Sequence, residues 1–431
     1  MNVLIQIMEY STYVFWTICI ACGAYLLYKV IQLFTAYAKP KSFPDAKVQH
    51  KYAILIPARR ESKVIEALLK SIKASDYPEH LLDIYVTVAD DNDPTIEICK
   101  KYKNTECWIF KEQKTKSMSL NYTLKRIFKE KKYKGYEAFF IFDADNLVAK
   151  DFFTEMNKSF DAGYDMAIGY RNSKNWNESW ISVCSGLTFT MLNGASNKFR
   201  SRAKMNLTFS GTGLYVRSSV LEPFEGWPFQ TLTEDYEMSL YAILNNLKTA
   251  YVETAEFFDE QPVTFKNSWN QRKRWLKGYA QANKKYRNKI VKSAFKERKN
   301  LVSKIEYTVG VIPLIFLLVD MILYGFLLLF ACIFSACHGS ELWLHYLLLL
   351  VLLCVLVYTI YALYGLLLGL SERKRTNIST KSIIKGTFTF PIFMGLFIPL
   401  YMVGKSNKEV KWVPIERESS VKAESVKSKK K

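Results

Sequence analysis

The sequence predicts an α/β domain on a Rossmann-like sheet, flanked by transmembrane and interfacial α-helices. Three observations predict it. Between residues 52 and 258, short apolar runs alternate with charged amphipathic stretches, the pattern of strands crossed by helices in a largely parallel sheet. Long apolar segments lie on both sides of that region. The chain is also strongly basic, with 60 Lys+Arg against 40 Asp+Glu and a net charge of +20, yet it is 49% hydrophobic. A mean hydropathy of −0.04 then means that apolar and charged residues are segregated along the chain.

The first element is the apolar run Thr12–Ala36, interrupted only by Lys29 and Gln32. About 20 apolar residues suffice to cross a bilayer. No basic region precedes this run and no small-residue cleavage site follows, so it reads as an anchor (1–40) rather than a leader. Lys39, Lys41, Lys47 and Lys51 follow it, which places the next region, 41–260, in the cytosol. Within that region Tyr52–Ile56, Ile84–Ala89, Trp108–Phe110 and Ala138–Phe142 read as strands, and Lys63–Ala74, Pro94–Lys103 and Ser117–Glu130 as helices. Residues 261–300 have the basic, Trp-bearing composition of helices lying on anionic lipid. In the transmembrane region 301–405, Tyr307–Cys337 and Leu342–Leu370 form a hairpin of two spans, followed by the basic loop Glu372–Lys385. Thr387–Gly404 contains Pro391 and Pro399 and is either re-entrant or a further crossing. A full crossing would put the Lys-rich tail, 406–431, outside, against the positive-inside rule.

Eight cysteines, five of them in apolar runs, show no disulfide framework, and the single Cys19-x-x-Cys22 has no second pair to complete a zinc site. The segregated apolar runs favour lipid and phosphorylated small molecules over nucleic acid as the partners of the basic charge.

Six motifs carry chemistry. Asp143 and Asp145 end an apolar strand at i and i+2, where two carboxylates can share Mg²⁺ or Mn²⁺ and bridge it to a diphosphate; alone, such a pair is as often an ordinary turn. Ile54–Glu61, with Pro57, Ala58, Arg59 and Glu61, and Val88–Asn92, with Asp90 and Asp91, sit at strand C-termini, the edge where open α/β sheets bind ligands. Lys116 stands at a helix start, suited to diphosphate oxygens. Gly211, Thr212 and Gly213 allow close approach to the backbone, and Thr233-Glu234-Asp235 offers a general base, although it also reads as a helix cap with acids in the first turn. Gln271, Arg274 and Trp275 combine a diphosphate clamp with a flat apolar face; alone, this segment reads as an interfacial helix. Each motif has a bland reading, but their order and spacing from Asp143 to Trp275 make a joint coincidence far less probable.

In that order the motifs resemble the family 2 membrane glycosyltransferases, the group of cellulose, chitin and hyaluronan synthases, over about residues 52 to 290. The resemblance implies a GT-A catalytic domain with a mixed sheet. It assigns uridine to Pro57–Glu61 and Asp90 or Asp91, the diphosphate to Lys116, and the metal to Asp143 and Asp145. It makes Asp235 the base, places Gln271, Arg274 and Trp275 at the donor and acceptor terminus, and likens Trp412 and Arg417 to a gating segment. Ser210 and Ile415 depart from the usual residues. The implied activity is an inverting hexosyl transfer from a UDP-sugar, of glucose or N-acetylglucosamine type, to a glycan acceptor. It elongates and exports a β-linked polysaccharide across the lipid bilayer, and with so few spans a channel would call for a homo-oligomer. The rivals are a non-processive enzyme adding one sugar to a lipid or glycolipid, and a basic membrane-associated binding protein without catalysis.

Overall fold

The computed structural model describes residues 1–310 and 312–404. Trp412 and Arg417 lie outside the described residues. The chain enters through α1 (Asn2–Ala21) and α2 (Gly23–Thr35). There follow β1 (Tyr52–Pro57), α3 (Ser62–Lys73), β2 (Leu82–Val88), α4 (Thr95–Cys99), β3 (Thr105–Ile109), α5 (Lys116–Lys129) and β4 (Ala138–Ile141). The second half of the domain holds β5 (Leu147–Val148), α6 (Phe152–Asp161), β6 (Met166–Ser173), α7 (Trp180–Phe189), α8 (Lys198–Arg202), β7 (Leu214–Arg217), α9 (Ser218–Leu221), α10 (Glu234–Leu244) and β8 (Thr249–Asp259). Six helices close the described chain: α11 (Phe265–Lys296), α12 (Leu301–Val309), α13 (Ile312–Cys337), α14 (Leu342–Glu372), α15 (Thr380–Gly395) and α16 (Phe397–Gly404).

The eight strands form one sheet in the order β3-β2-β1-β4-β7-β6-β8-β5. The β3-β2-β1-β4 half is parallel, whereas β7 runs antiparallel to both β4 and β6 and β5 antiparallel to β8, so the sheet is mixed. Both faces are buried, because alternate strand residues point to opposite sides. Tyr52, Ile54 and Ile56 pack with Ile65, Leu68 and Ile72 of α3 and Met156 of α6. Ala53 and Leu55 pack with Leu120, Leu124 and Ile127 of α5 and Met238 of α10. Strand order reverses around β1, which lies between β2 and β4, and a crevice opens beyond the C-terminal ends of such strands.

Four helical stretches among the described residues are long and apolar enough to cross a membrane: Asn2–Ala21, Leu301–Cys337, Leu342–Glu372 and Thr380–Tyr401. The first overlaps the span expected over Thr12–Ala36 and starts earlier. The helix is interrupted at Cys22, and the residues beyond it make polar contacts. The Tyr28 hydroxyl donates to Glu306 Oε1 at 2.7 Å, and Gln32 is buried with its Oε1 accepting from Ser196. Glu306 also takes both Nε and Nη2 of Arg200 at 2.9 Å, which fastens α2, α8 and α12 together.

The last apolar segment begins earlier than its sequence suggested and is bonded to the α/β region at its start and to α11 further on. Ser379 caps α15, and its backbone N–H donates to Asn177 Oδ1 at 2.9 Å. Further along, the Phe393 carbonyl accepts from Arg272 Nη1 of α11 at 3.0 Å.

Candidate active site

A cavity of about 1210 Å³ opens at the C-terminal ends of β1 and β4 and is closed by α7, α11 and the α15–α16 junction. It gathers residues far apart in sequence: Pro57, Arg59 and Glu61; Lys116; Asp143; Gly211; Glu234 and Asp235; Gln271, Arg274 and Trp275. Asp90 and Asp91 are not brought to it. Both are exposed; Asp91 pairs with Lys111 at 2.5 Å, and Asp90 Oδ1 accepts from the Asn92 N–H. Ala58, Asp145 and Thr212 lie behind the wall, fully buried.

Lys116 is the first residue of α5, whose Thr115 cap accepts from the Met118 N–H. Its ammonium donates to Asp143 Oδ1 at 2.5 Å and to the Gly211 carbonyl at 2.7 Å. Burial alone would lower its pKa, but the facing carboxylates of Asp143, Glu234 and Asp235 together raise it, so it stays a cation.

Gly211 and Gly213 both hold positive φ, +83° and +64°. A Cβ on Gly211 would lie 3.1 Å from Asp235 Oδ2, and one on Gly213 2.2 Å from the Phe257 ring. Between them the Thr212 Oγ1 accepts from the Asp143 N–H at 2.9 Å and donates to Asn146 Oδ1. This side chain therefore fixes the carboxylate turn behind the wall.

Asp235 lies in the first turn of α10 with Glu234 and Glu237. The helix-cap reading is thus also satisfied, although Thr233 makes no side-chain cap bond. Asp235 Oδ1 accepts from the Tyr236 N–H at 2.7 Å. Burial pushes the Asp235 carboxyl up, against the pull of that N–H and of Lys116, Arg274 and Arg171. Burial and the neighbouring Asp235 push Glu234 up to about 7. Two adjacent carboxyls of this kind titrate as a pair, a setting suited to proton transfer.

On α11 the 3.6-residue repeat sorts the Gln-Arg-Lys-Arg-Trp segment. Gln271, Arg274 and Trp275 face the cavity, with Arg274 Nη1 on the Leu232 carbonyl at 3.0 Å. Arg272 points away and is buried, its guanidinium 4.0 Å from the Phe393 ring centre.

Several wall residues carried no recognisable signal. Arg171, at the end of β6, pairs with Asp259 at the end of β8, donates from Nη1 to the Ser210 carbonyl at 2.8 Å, and stacks 3.7 Å over the Phe189 ring. Asp259 also accepts from Asn146 Nδ2 at 3.1 Å. These bonds close a circuit between the carboxylate turn and the glycine loop that only the tertiary fold brings together. Phe189, Met191 and Leu192, on α7 and the π-helical turn Thr190–Asn197 after it, and Met394 and Phe397 form an apolar wall. Such π turns occur frequently at functional sites.

Among the described residues no three His, Cys, Asp or Glu side chains are grouped to hold a metal ion by themselves. Asp143 reaches the cavity and Asp145 sits one turn behind it, which fits a hard cation that takes one or two carboxylates and completes its shell with phosphate oxygens.

Comparison with known proteins places this geometry in context. Residues 50–278 match the family described as glycosyltransferase like family 2. The chain is similar to the probable glycosyltransferase YdaM of Bacillus subtilis, 26% identical over 258 residues, which are 56% of this chain and 57% of that protein. It is similar to the poly-beta-1,6-N-acetyl-D-glucosamine synthase of Staphylococcus epidermidis, 24% identical over 52% of this chain and 54% of that one. It is also similar to the beta-monoglucosyldiacylglycerol synthase of a Nostoc species, 25% identical over 62% of this chain and 57% of that one. The chain thus spans about half the length of the curated relatives it matches. Among solved structures, the mannosyltransferase PcManGT of Pyrobaculum calidifontis, in complex with GDP-Man and Mn²⁺, shares the fold. It has a TM-score of 0.55 at 16% identity and covers 92% of this chain and 99% of that one.

Proposed function

The chain belongs to glycosyltransferase like family 2, a glycosyltransferase on a GT-A fold, and from that premise we propose an inverting transfer of one hexosyl unit from a UDP-sugar to an acceptor hydroxyl, with Asp235 as base. The single observation that carries the assignment is the position of Asp235. It lies in the same cavity as Lys116 and Arg274, its Oδ2 close to the glycine loop and its pKa raised toward the range where a carboxylate can take a proton.

The donor's diphosphate lies against Lys116, with Arg59 and Arg274 flanking it. Asp143 and Asp145 would hold Mg²⁺ or Mn²⁺, and the bound ion would supply neutralisation of the leaving diphosphate. That PcManGT is described with GDP-Man and Mn²⁺ supports a nucleotide sugar and a divalent ion. Asp235 accepts the proton of the acceptor hydroxyl as that oxygen bonds to the anomeric carbon. The bond to the diphosphate breaks on the opposite face, so configuration inverts. Trp275 offers its ring face to the sugar at the acceptor end. The catalytic region, 41–260, faces the cytosol between the N-terminal anchor and the α13–α14 hairpin. A re-entrant path for Thr380–Tyr401 is supported by the bonds of Ser379 to Asn177 of the α/β region and of Phe393 to Arg272 of α11.

Repeated transfer would elongate and export a β-linked polysaccharide, a reading supported by the similarity to a poly-beta-1,6-N-acetyl-D-glucosamine synthase. A second reading, one addition to a lipid, is favoured by the apolar wall. The test is purified protein with a panel of UDP-sugars, with Mg²⁺ or Mn²⁺ or with EDTA, reading UDP release and product size. Metal-dependent release with a long product supports the polymerase, and a single small lipid-linked product supports the second reading. No release from any donor rejects both.

A further inference from the structure

We propose that the apolar wall of the cavity binds the aliphatic chain of a neutral, hydroxyl-bearing membrane lipid, and that this lipid is an acceptor. The inference rests on the reading of the site as a glycosyltransferase and names its acceptor class.

The cavity divides by chemistry according to the elements that build it. Its sheet side is ionic, with Arg59, Lys63, Lys114 and Lys116. Its helix side is apolar, and Met191, Leu192, Met394 and Phe397 are only half-buried there, leaving side-chain surface uncovered inside the cavity. Trp275 joins the two, its ring 5.7 Å from that of Phe189. Thioether, Leu and Phe side chains give no hydrogen-bond partners to a hydroxyl-rich glycan, which would lose its water without replacement. An aliphatic chain loses nothing there and gains from burial.

The apolar wall is continuous with the membrane helices. Met191, Met394 and Phe397 pack on the same cluster as Leu33 of α2 and Leu368 of α14. On α15 one face is buried, where Ile383 meets Gly369 and Phe390 meets Gly365. The outer face carries Ile384, Phe388 and Ile392 at four-residue spacing, each more than half exposed. That stripe belongs in lipid, whereas Met394 lies on the opposite face of α15, with Ile383 and Phe390. The helix therefore has lipid on one side and the apolar end of the cavity on the other, about 10 Å apart.

The headgroup is set by the acids. Asp235 and Glu234 face the reacting position together. A phosphate-headed lipid would bring a second anion against them and would need no base. A neutral hydroxyl needs one: its oxygen bonds to the anomeric carbon, its proton passes to Asp235, and the nucleoside diphosphate departs with the electrons of the broken bond.

The experiment uses the full chain in nanodiscs with the UDP-sugar panel and four acceptors: dihexanoylglycerol, dioleoylglycerol, a polyprenyl phosphate and a soluble oligosaccharide. Transfer to dioleoylglycerol should exceed that to dihexanoylglycerol, and two or three further buried methylenes are enough for at least about tenfold in KM. Met191→Glu and Phe397→Ser should raise KM for dioleoylglycerol by a similar factor and so narrow its advantage over dihexanoylglycerol. Equal use of both chain lengths, or preference for the oligosaccharide, overturns the proposal, as does preference for the polyprenyl phosphate, which would reverse the headgroup assignment. A diacylglycerol with a diazirine in its acyl chain gives a readout independent of turnover. Labelling near Met191 or Met394 that unlabelled dioleoylglycerol competes away supports the lipid site even if no donor is turned over, in which case only the glycosyltransferase reading fails. No competed labelling overturns the lipid site.

Discussion

Substituting Arg171 should cost both stability and turnover, because its partner is buried on every side. The side chains of Arg171 and Asp259 are 8% and 5% exposed, so neither charge is rescued by solvent when the other is removed. Arg171 donates to Asp259 and, at 2.8 Å, to the Ser210 carbonyl, and Asp259 holds Asn146 at 3.1 Å behind the Asp143 turn. Breaking such a buried pair costs about 3–5 kcal/mol. Arg171→Ala and Asp259→Asn should each lose on that order, measured by chemical unfolding in detergent followed by tryptophan fluorescence. The double variant Arg171→Ala/Asp259→Asn removes both charges. It should be more stable than the sum of the single losses by about 1–3 kcal/mol. Folded Arg171→Ala should still bind UDP, since Arg59 and Lys116 are intact, but turn over roughly tenfold to a hundredfold more slowly as the glycine loop loosens. Additivity within about 0.5 kcal/mol, or a single loss below about 1 kcal/mol, would refute the view that this pair ties the two loops together.

Gly213→Ala should destabilise by about 1–2 kcal/mol for a side chain in the left-handed region and about 1–3 kcal/mol for the overlap with Phe257, read as a lowered melting temperature; an unchanged value would show that the loop can move aside. The acid limb of kcat/KM should reflect the Glu234–Asp235 pair. Both carboxyls are raised in the folded protein, Glu234 to about 7, so activity that needs an ionised base is present at high pH and falls as pH drops through that region. Glu234→Gln removes one charge of the pair and should move the limb to lower pH, as seen in a pH–rate profile; a fixed limb would assign it to another group.

Much of the catalytic fold was legible because local and global signals agree there. The alternating apolar runs mark β1 to β4 and helices α3 and α5 within three residues. The strands β5 to β8 were not separated, since that half mixes directions and includes a two-residue strand and apolar α7, which reads as core rather than as cavity wall. At the N-terminus, hydropathy alone carried the expected span past Cys22, because Tyr28 and Gln32 look tolerable in an apolar run and only the fold shows their polar partners. The site motifs were visible wherever the chemistry is local, as at Lys116 on a helix start or Gln271, Arg274 and Trp275 on one helical face. Arg171 and Asp259 were invisible because each is an ordinary charge at a strand end, 88 residues apart, until the sheet pairs β6 with β8. Asp90 and Asp91 stand at a strand end on the ligand-binding edge of the sheet, on an exposed turn where Asp91 pairs with Lys111.

The central claim is that Asp235 takes the proton from the acceptor. Its most direct test is Asp235→Asn assayed for transfer and for UDP binding on the same preparation. The variant should bind UDP with nearly the wild-type affinity and lose transfer by a factor of at least about a hundred. Transfer retained at close to the wild-type rate, with the protein folded and UDP bound, would contradict the account.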